Sequence, residues 1–525
     1  MYNIAEQRLA RLTAEGADKL LAGSQIGVEK ESLRVSPDGK LSQSPHPTQL
    51  GSPLTHPYIT TDYSEALTEF ITPPCGSIPE ALAFLRDTQR FASENLGNEL
   101  LWASSMPCVV AGETSIPIAE YGSSNAGMMK TVYRRGLGHR YGRVMQVIAG
   151  AHFNYSFAEN FWPVFKELEQ SQATAQDFIA DSYFGLIRNL QRFGWLVPYL
   201  FGASPAVCKT FLGGNVKDLE SFDSGTYYQP YATSLRMGDI GYQNNKEAKT
   251  GVKACYDNLD AYVKSLVQAI DTPCPEYARI GVVVKGQYQQ LNANILQIEN
   301  EYYSTIRPKQ LTGPFEKPVH ALKQRGVRYV ELRSLDVNVF DPLGVNERQL
   351  HFLEAFLVFC LLHESPLIGD KEREHIDFNE LAAAHCGRDP KLFLYRGEKR
   401  IRLKDWAMEI LNAMEGVCEV LDRGAQDSPY SASLATQKEK VREPDGTPSA
   451  RMLAAMRKEN EGFFQFALRM SQQHQDYLAG LGLTAERKEM FMRLAAESLQ
   501  QQQELEQADE EAFDSYLKRY FAQRV

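Results

Sequence analysis

The segment GVEKESLRV, residues 27 to 35, alternates as a β-strand does, so Glu29, Glu31 and Leu33 share one face while Val28, Lys30 and Ser32 share the other. Two carboxylates side by side on one strand face repel each other unless water or a cation relieves them. A fold built on this strand must either leave that face at a solvated sheet edge or set something positive against it. The pair alone fits both arrangements.

Other predicted strands narrow the choice. In TTDYSEALTEFITPP, the residues Asp62, Glu65 and Glu69 also fit one helical stripe, but the run Phe70, Ile71, Thr72 ahead of two prolines favours a strand over 66–72. Glu69 then sits in an otherwise apolar strand, which is costly unless it is paired or metal-bound. In GAHFNYSF, His152 and Asn154 share a face opposite Phe153 and Tyr155; in YVELRSLDV, Glu331 and Arg333 share a face, an arrangement that a plain structural ion pair also explains. QQLNANILQIENEYY reads as a further strand with Gln290, Asn292 and Asn294 on one face, followed by Glu299 and Glu301. The economical reading is a single sheet whose polar face is a binding site. Carboxylates around one imidazole suit Mg2+ or Mn2+, and arginines suit the phosphates of a nucleotide.

Around these segments the chain reads as α+β. Strands are predicted over 25–35, 66–72, 144–157, 279–284, 288–298 and 326–338, with helices over 77–97, 173–195 and 252–270. From about residue 346 the pattern is almost wholly helical, with an exposed connection expected over 423–437 and a Gln/Glu-rich helical tail that packs as support or frays. The formal net charge of -10 argues against a nucleic-acid or anionic-membrane partner and for small-molecule substrates. Eight cysteines without a C-x-x-C pair signal neither a zinc ribbon nor a disulfide framework, so a reducing cytoplasm is expected. The amphipathic N-terminus lacks a signal-peptide core, and no apolar run is long enough to span a bilayer. GSSNAGMMK has the glycine spacing of a phosphate loop, but Met128 stands where its lysine belongs.

Together, GVEKESLRV, TTDYSEALTEFITP, YGSSNAGMMKTVYRRGL, RYGRVMQVIAGAHFNYSF, FGWLVPYLFGASPA, YYQPYATSLRMGDIGY, NILQIENEYYSTIRPK and YVELRSLDVNVFDPLGV, colinear over roughly residues 20 to 365, resemble the proteobacterial glutamate–cysteine ligase family. The helical C-terminal third resembles it only loosely. The resemblance implies a glutamine-synthetase-like fold, a curved and mainly antiparallel sheet forming a saddle beneath ATP and two or three Mg2+ ions. It implies a catalytic unit over 1–365 and a helical part over 366–525 packed on it. Residue by residue, Glu29, Glu31, Asp62, Glu69, His152 and Glu331 match the family's metal positions and Arg333 its phosphate-contacting arginine. Tyr133, Arg134, Gln146, Arg236, Tyr242 and Tyr303 match positions that bind the amino-acid substrates. The implied activity joins the γ-carboxyl of L-glutamate to the amine of L-cysteine through γ-glutamyl phosphate, consuming ATP, as the first step of glutathione synthesis; separately from the resemblance, a monomer is expected. A related ligase using another amine, a silent sensor on the same fold and a metal-dependent hydrolase are the competing expectations.

Two departures qualify the match. Arg135 stands where relatives commonly carry an acidic residue, and no segment remains for an appended ATP-grasp domain, so only the first step is expected. Strand alternation also assigns Lys30 to the face away from the metals, as a structural or surface residue.

Overall fold

Hydrophobic alternation decides the centre of the molecule. In the computed structural model, which describes residues 2–108, 110–212, 219–240 and 253–524, the predicted strand over 25–35 is the long strand β1, Gln25–Val35. It is joined in one sheet by β2 (Ile59–Thr61), β3 (Leu67–Ile71), β4 (Leu100–Leu101), β5 (Ala151–Ser156), β6 (Ile306–Lys309) and β7 (Tyr329–Leu335). The order is β6-β7-β5-β1-β3-β2, every neighbouring pair is antiparallel, and β4 pairs with the far end of β1. The mainly antiparallel sheet of an α+β fold is therefore present.

One face of this sheet is mainly apolar, with Lys30 and Ser32 its polar residues on β1. Val28, Phe70, Phe153, Tyr155, Ile306, Val330 and Leu332 are all buried there in one core cluster. Burying a side chain such as Phe153 completely contributes roughly 1.5–3 kcal/mol. Helices Ala175–Phe193 and Glu347–Leu362 supply the facing layer. The second of these is buried nearly all round, which marks it as a central core helix rather than a surface one. It starts at a capping box in which Asn346 and Gln349 satisfy each other's backbone donors. Its one buried acid, Glu354, accepts from Ser24 Oγ at 2.5 Å and Tyr430 Oη at 2.8 Å, so the polar group is not left bare in the core.

Several expectations need correction. The strand predicted over 144–157 is shorter, because residues Val144–Val147 form a 3-10 turn before β5 begins. The segment 288–298 is mostly irregular, with only Gln287–Tyr288 in a short hairpin strand. Its amides are consumed locally: Gln290 accepts from Arg140 and donates to the Tyr277 and Gly281 carbonyls, Asn292 donates to Gln297, and Asn294 donates to Ile270. Such side-chain to backbone bonds compete with a strand ladder. Residues Pro275–Ala278 are helical, leaving only Val283–Val284 as strand in the 279–284 segment. The expected connection over 423–437 ends early, since a helix begins at Pro429, and a hairpin, Phe393–Arg396 with Lys399–Arg402, interrupts the helical C-terminal part.

Cysteine spacing concealed one bond, a disulfide between Cys108 and Cys208, 100 residues apart. Only tertiary structure brings those two together, so no local pattern announces it. The C-terminal tail packs as support. Its helix Ala485–Ala508 holds the 52–55 loop through Ser498 and Gln502, and Asp509 fixes Asn125 at the start of helix Asn125–Tyr141. Among the described residues, no helix is long and apolar enough to cross a membrane.

Lys30 lies on the face opposite Glu29 and Glu31, as alternation requires, but it is buried rather than at the surface, 3% exposed. Its Nζ donates to Ser32 Oγ at 2.7 Å and Gln89 Oε1 at 3.4 Å, and no carboxylate among the described residues pairs with it. Burial pushes its pKa down from 10.5 to about 7. The unfolded chain therefore binds this proton more readily between those values, and folding stability gains from rising pH across that window. Urea unfolding at pH 7 and pH 10 should find that Lys30→Met removes part of the wild-type pH dependence. An identical pH dependence in both proteins would contradict the assignment.

Candidate metal and phosphate site

Strand register builds the site. On β1, Glu29 lies beside His152 of β5, and Glu31 lies beside Glu69 of β3. On the other side, Glu331 of β7 lies beside Asn154 of β5 and Arg307 of β6. Because partners across a sheet share a face, all these side chains rise from the polar side while Phe70, Phe153 and Leu332 anchor the apolar one. Between Leu332 and Leu335 the register of β7 against β5 shifts, a bulge beginning beside Arg333.

The carboxylates converge on one imidazole. His152 Nδ1 lies 3.0 Å from Glu29 Oε2 and 3.7 Å from Glu331 Oε1, while its Nε2 is 3.7 Å from Glu31 Oε1. Two ligand groups result, Glu29 with His152 and Glu331, and Glu31 with Glu69 and His152; within each, one donor atom per residue lies within 4.8 Å of the others. Oxygen ligands around a single nitrogen are the donor set of a hard divalent cation. Asn154 Nδ2 steadies Glu29 Oε1 at 2.9 Å, and the Gly150 amide steadies Glu31 Oε2 at 2.6 Å.

Charge balance across the face is uneven. Burial and the repulsion of Glu29, Asp62 and Glu31 hold the Glu69 carboxyl well above its ordinary pKa, and burial raises Glu31 too. At the opposite end, burial works to raise Glu331, but Lys309, Arg333 and Arg307 bring it well below the usual carboxylate range. Burial also works against Glu29, yet its hydrogen bond with His152 leaves it net lowered. The β1–β3 side therefore carries an excess of negative charge that its oxygen and imidazole donors could share with a metal ion, whereas cations outweigh burial on the β6–β7 side. Arg333 donates to Glu331 Oε1 at 2.8 Å, and its Nε is buried with no hydrogen-bond partner among the described residues.

Not every expected residue joins this group. Asp62 lies at the turn between β2 and β3; its charge bears on Glu31 and Glu69, but it belongs to neither ligand group. Arg236 adjoins the cluster, donating to the Arg333 carbonyl at 2.9 Å and lying 3.7 Å from buried Asp336. Tyr303 is buried beside it, its hydroxyl 3.6 Å from Met237 Sδ, with its pKa raised by burial. Arg134 spreads its guanidinium over the Asp62, Thr61 and Lys130 carbonyls, clamping its helix to the β2–β3 turn. Arg135 turns to the Tyr288 carbonyl. Gln146 is buried on the 3-10 turn that leads into β5, and Tyr133 packs between apolar clusters. Tyr242 lies outside the described residues.

Sequence reading missed Arg307, Lys309 and Gly150. Lys309 Nζ lies 3.3 Å from Glu331 Oε2, and the alternating cations of IRPK were its available signal. Gly150 carries no such signal; a Cβ there would stand 2.2 Å from Arg236 Nη2, a contact only the fold reveals.

Comparison with known proteins identifies the family. The family model described as glutamate–cysteine ligase matches residues 9–382. The glutamate–cysteine ligase of Alcanivorax borkumensis is 48% identical over 98% of this chain and 99% of its own length, and that of Pseudomonas paraeruginosa is 47% identical over 99% and 98%. The similarity thus runs through the helical C-terminal third, which the motifs alone had matched only loosely. A crystal structure of the Francisella tularensis glutamate–cysteine ligase in complex with AMP superposes with a TM-score of 0.89 at 38% identity, covering 95% of this chain and 97% of that one. The family model over most of the chain, relatives matched along nearly its whole length and the shared glutamine-synthetase-like fold place the chain in the glutamate–cysteine ligase family.

Proposed function

We propose that the chain joins the γ-carboxyl of L-glutamate to the amine of L-cysteine at the expense of ATP, giving γ-glutamylcysteine, ADP and phosphate, the first step of glutathione synthesis. The observation that carries this reading is the convergence of Glu29, Glu31, Glu69, His152 and Glu331 from four strands beside Arg333. A carboxylate is a poor electrophile until one of its oxygens becomes part of a leaving group. Transfer of the γ-phosphoryl group to the glutamate carboxylate supplies that leaving group, and charge accumulates on the phosphoryl oxygens as it moves.

The residues divide this work. Glu29, Glu31, Glu69, His152 and Glu331, with Asp62 at the margin, hold Mg2+ or Mn2+, which when bound supplies positive charge to the phosphate oxygens. The Arg333 guanidinium supplies positive charge to the transferring phosphoryl group, and Lys309 and Arg307 add to it along the same edge. Tyr133, Arg134, Gln146, Arg236 and Tyr303 form the amino-acid end, where Arg236 and Tyr303 adjoin Arg333. Cysteine's nitrogen then attacks the acyl carbon, the C–O bond to phosphate breaks, and the nitrogen sheds its proton. Positioning carries the reaction, and no protein nucleophile is required.

Two measurements test these roles. Titration with Mn2+ followed by electron paramagnetic resonance should find binding weakened on the order of 10-fold or more in Glu31→Gln and in Glu331→Gln; unchanged affinity in both would remove them from the ligand set. In a coupled ADP-release assay, the wild type should require both glutamate and cysteine, and Glu29→Gln should be slower by about 10²-fold or more. Equal rates in the two proteins, or ADP release indifferent to cysteine, would sink the mechanism.

A further inference from the structure

The strand that carries Arg333 runs on into a buried acid. Asp336 follows β7 directly, just past the register shift between Leu332 and Leu335, and is 1% exposed. A carboxylate in such a place is costly unless its oxygens are satisfied. Three donors satisfy them: the Ala203 amide at 2.8 Å and Ser204 Oγ at 2.6 Å on Oδ2, and Ser234 Oγ at 2.8 Å on Oδ1. Burial raises the Asp336 pKa, and Arg236 with these hydrogen bonds opposes the rise.

Each serine passes the contact on to one turn. Ser204 Oγ accepts from the Arg236 amide at 3.3 Å, and Ser234 Oγ accepts from the Met237 amide at 3.1 Å. Both serines are fully buried and face each other in a β-bridge, so water does not compete for either hydroxyl. The turn they fix sends the Arg236 guanidinium past Gly150, where a Cβ would stand 2.2 Å from Nη2, to the Arg333 carbonyl at 2.9 Å and Met237 Sδ at 3.3 Å. The Tyr303 hydroxyl meets the same sulfur at 3.6 Å. Asp336 itself stays 3.7 Å from Arg236 Nη1, too far for a hydrogen bond that would use up a guanidinium donor. At that distance its charge still offsets the repulsion between Arg236 and Arg333.

We propose that Asp336 is a positioning residue for the amino-acid end: through Ser204 and Ser234 it fixes the turn bearing Arg236 and Met237 relative to Arg333, so that Arg236 meets a substrate carboxylate at a set distance from the phosphoryl group. This rests on the reading above, in which Arg236 belongs to the amino-acid end. Asp336 touches neither substrate nor metal; its effect passes through two hydroxyls and two backbone amides.

Steady-state ADP release by the full chain tests this in Asp336→Asn, nearly equal in shape but offering a donor where a serine hydroxyl needs an acceptor, and in Ser234→Ala. In each variant the KM for glutamate or for cysteine should rise about ten-fold while that for ATP stays within about two-fold, because only the amino-acid end loosens. Mn2+ affinity followed by electron paramagnetic resonance should match the wild type. Combining the two substitutions should add less than about two-fold to the effect of Asp336→Asn, since both act through one chain of contacts. Amino-acid KM values that do not move, an ATP KM or Mn2+ affinity that shifts in step with them, or effects that simply multiply would each overturn the proposal. Should Asp336→Asn fold poorly, Ser234→Ala, which removes one hydroxyl, decides alone. A wild type that releases ADP without either amino acid would remove the reading of the site and this proposal with it. A wild type that requires both, with unchanged KM values in the variants, overturns the positioning role alone.

Discussion

Repulsion among Glu29, Glu31 and Glu69 is the constraint on which the rest of this structure depends. With burial, the charges of Glu29 and Glu31 raise the proton affinity of Glu69 on the adjacent strand, and a flexible scaffold would let the three part. The sheet prevents this because the opposite face of the same strands is locked into the core by Val28, Phe70 and Phe153. Apolar burial on one side thus maintains an electrostatically unfavourable grouping on the other. The proposed function gives that grouping a purpose, since a site proposed to gather cations and phosphates would gain from charge left unrelieved in their absence.

The polar face is also graded. Acid predominates toward β3, base toward β6, and His152 and Glu331 lie between. Lys309, Arg307 and Arg333 keep Glu331 ionised, so the two ends of the face present opposite demands to a ligand: one end wants a cation, the other an anion. The proposed metal-bound triphosphate would satisfy both. Supporting elements are drawn from far along the chain. Asp336 ties Ala203, Ser204 and Ser234 together beneath Arg236, and the tail helix Ala485–Ala508 secures the loop that precedes β2.

Much of this was legible in the sequence, and the limits have physical causes. Period-two alternation read β1 correctly and put Glu29 and Glu31 on one face with Lys30 on the other, because strand geometry leaves side chains no other choice. The same rule failed at 288–298, where Gln290, Asn292 and Asn294 mimic alternation but spend their amides on neighbouring carbonyls. Lys30 was assigned to the right face, yet its burial depended on helices distant in sequence. The roles of Lys309 and Gly150, and the bond between Cys108 and Cys208, arise from contacts between remote segments, which no local pattern encodes.

The strand order has a consequence for how the chain is made. Ribosomes deliver β1, β3 and β5 early, and with them every carboxylate of the acidic end, but β6 and β7 emerge only after residue 300. For that interval the nascent polypeptide carries an acidic cluster without Arg307, Lys309 and Arg333, and with one flank of β5 unpaired. Long-range pairing of this kind is slow and leaves open strand edges exposed to other chains. Completion of the central sheet therefore belongs to the later stages of synthesis, when the positively charged strands arrive to close it.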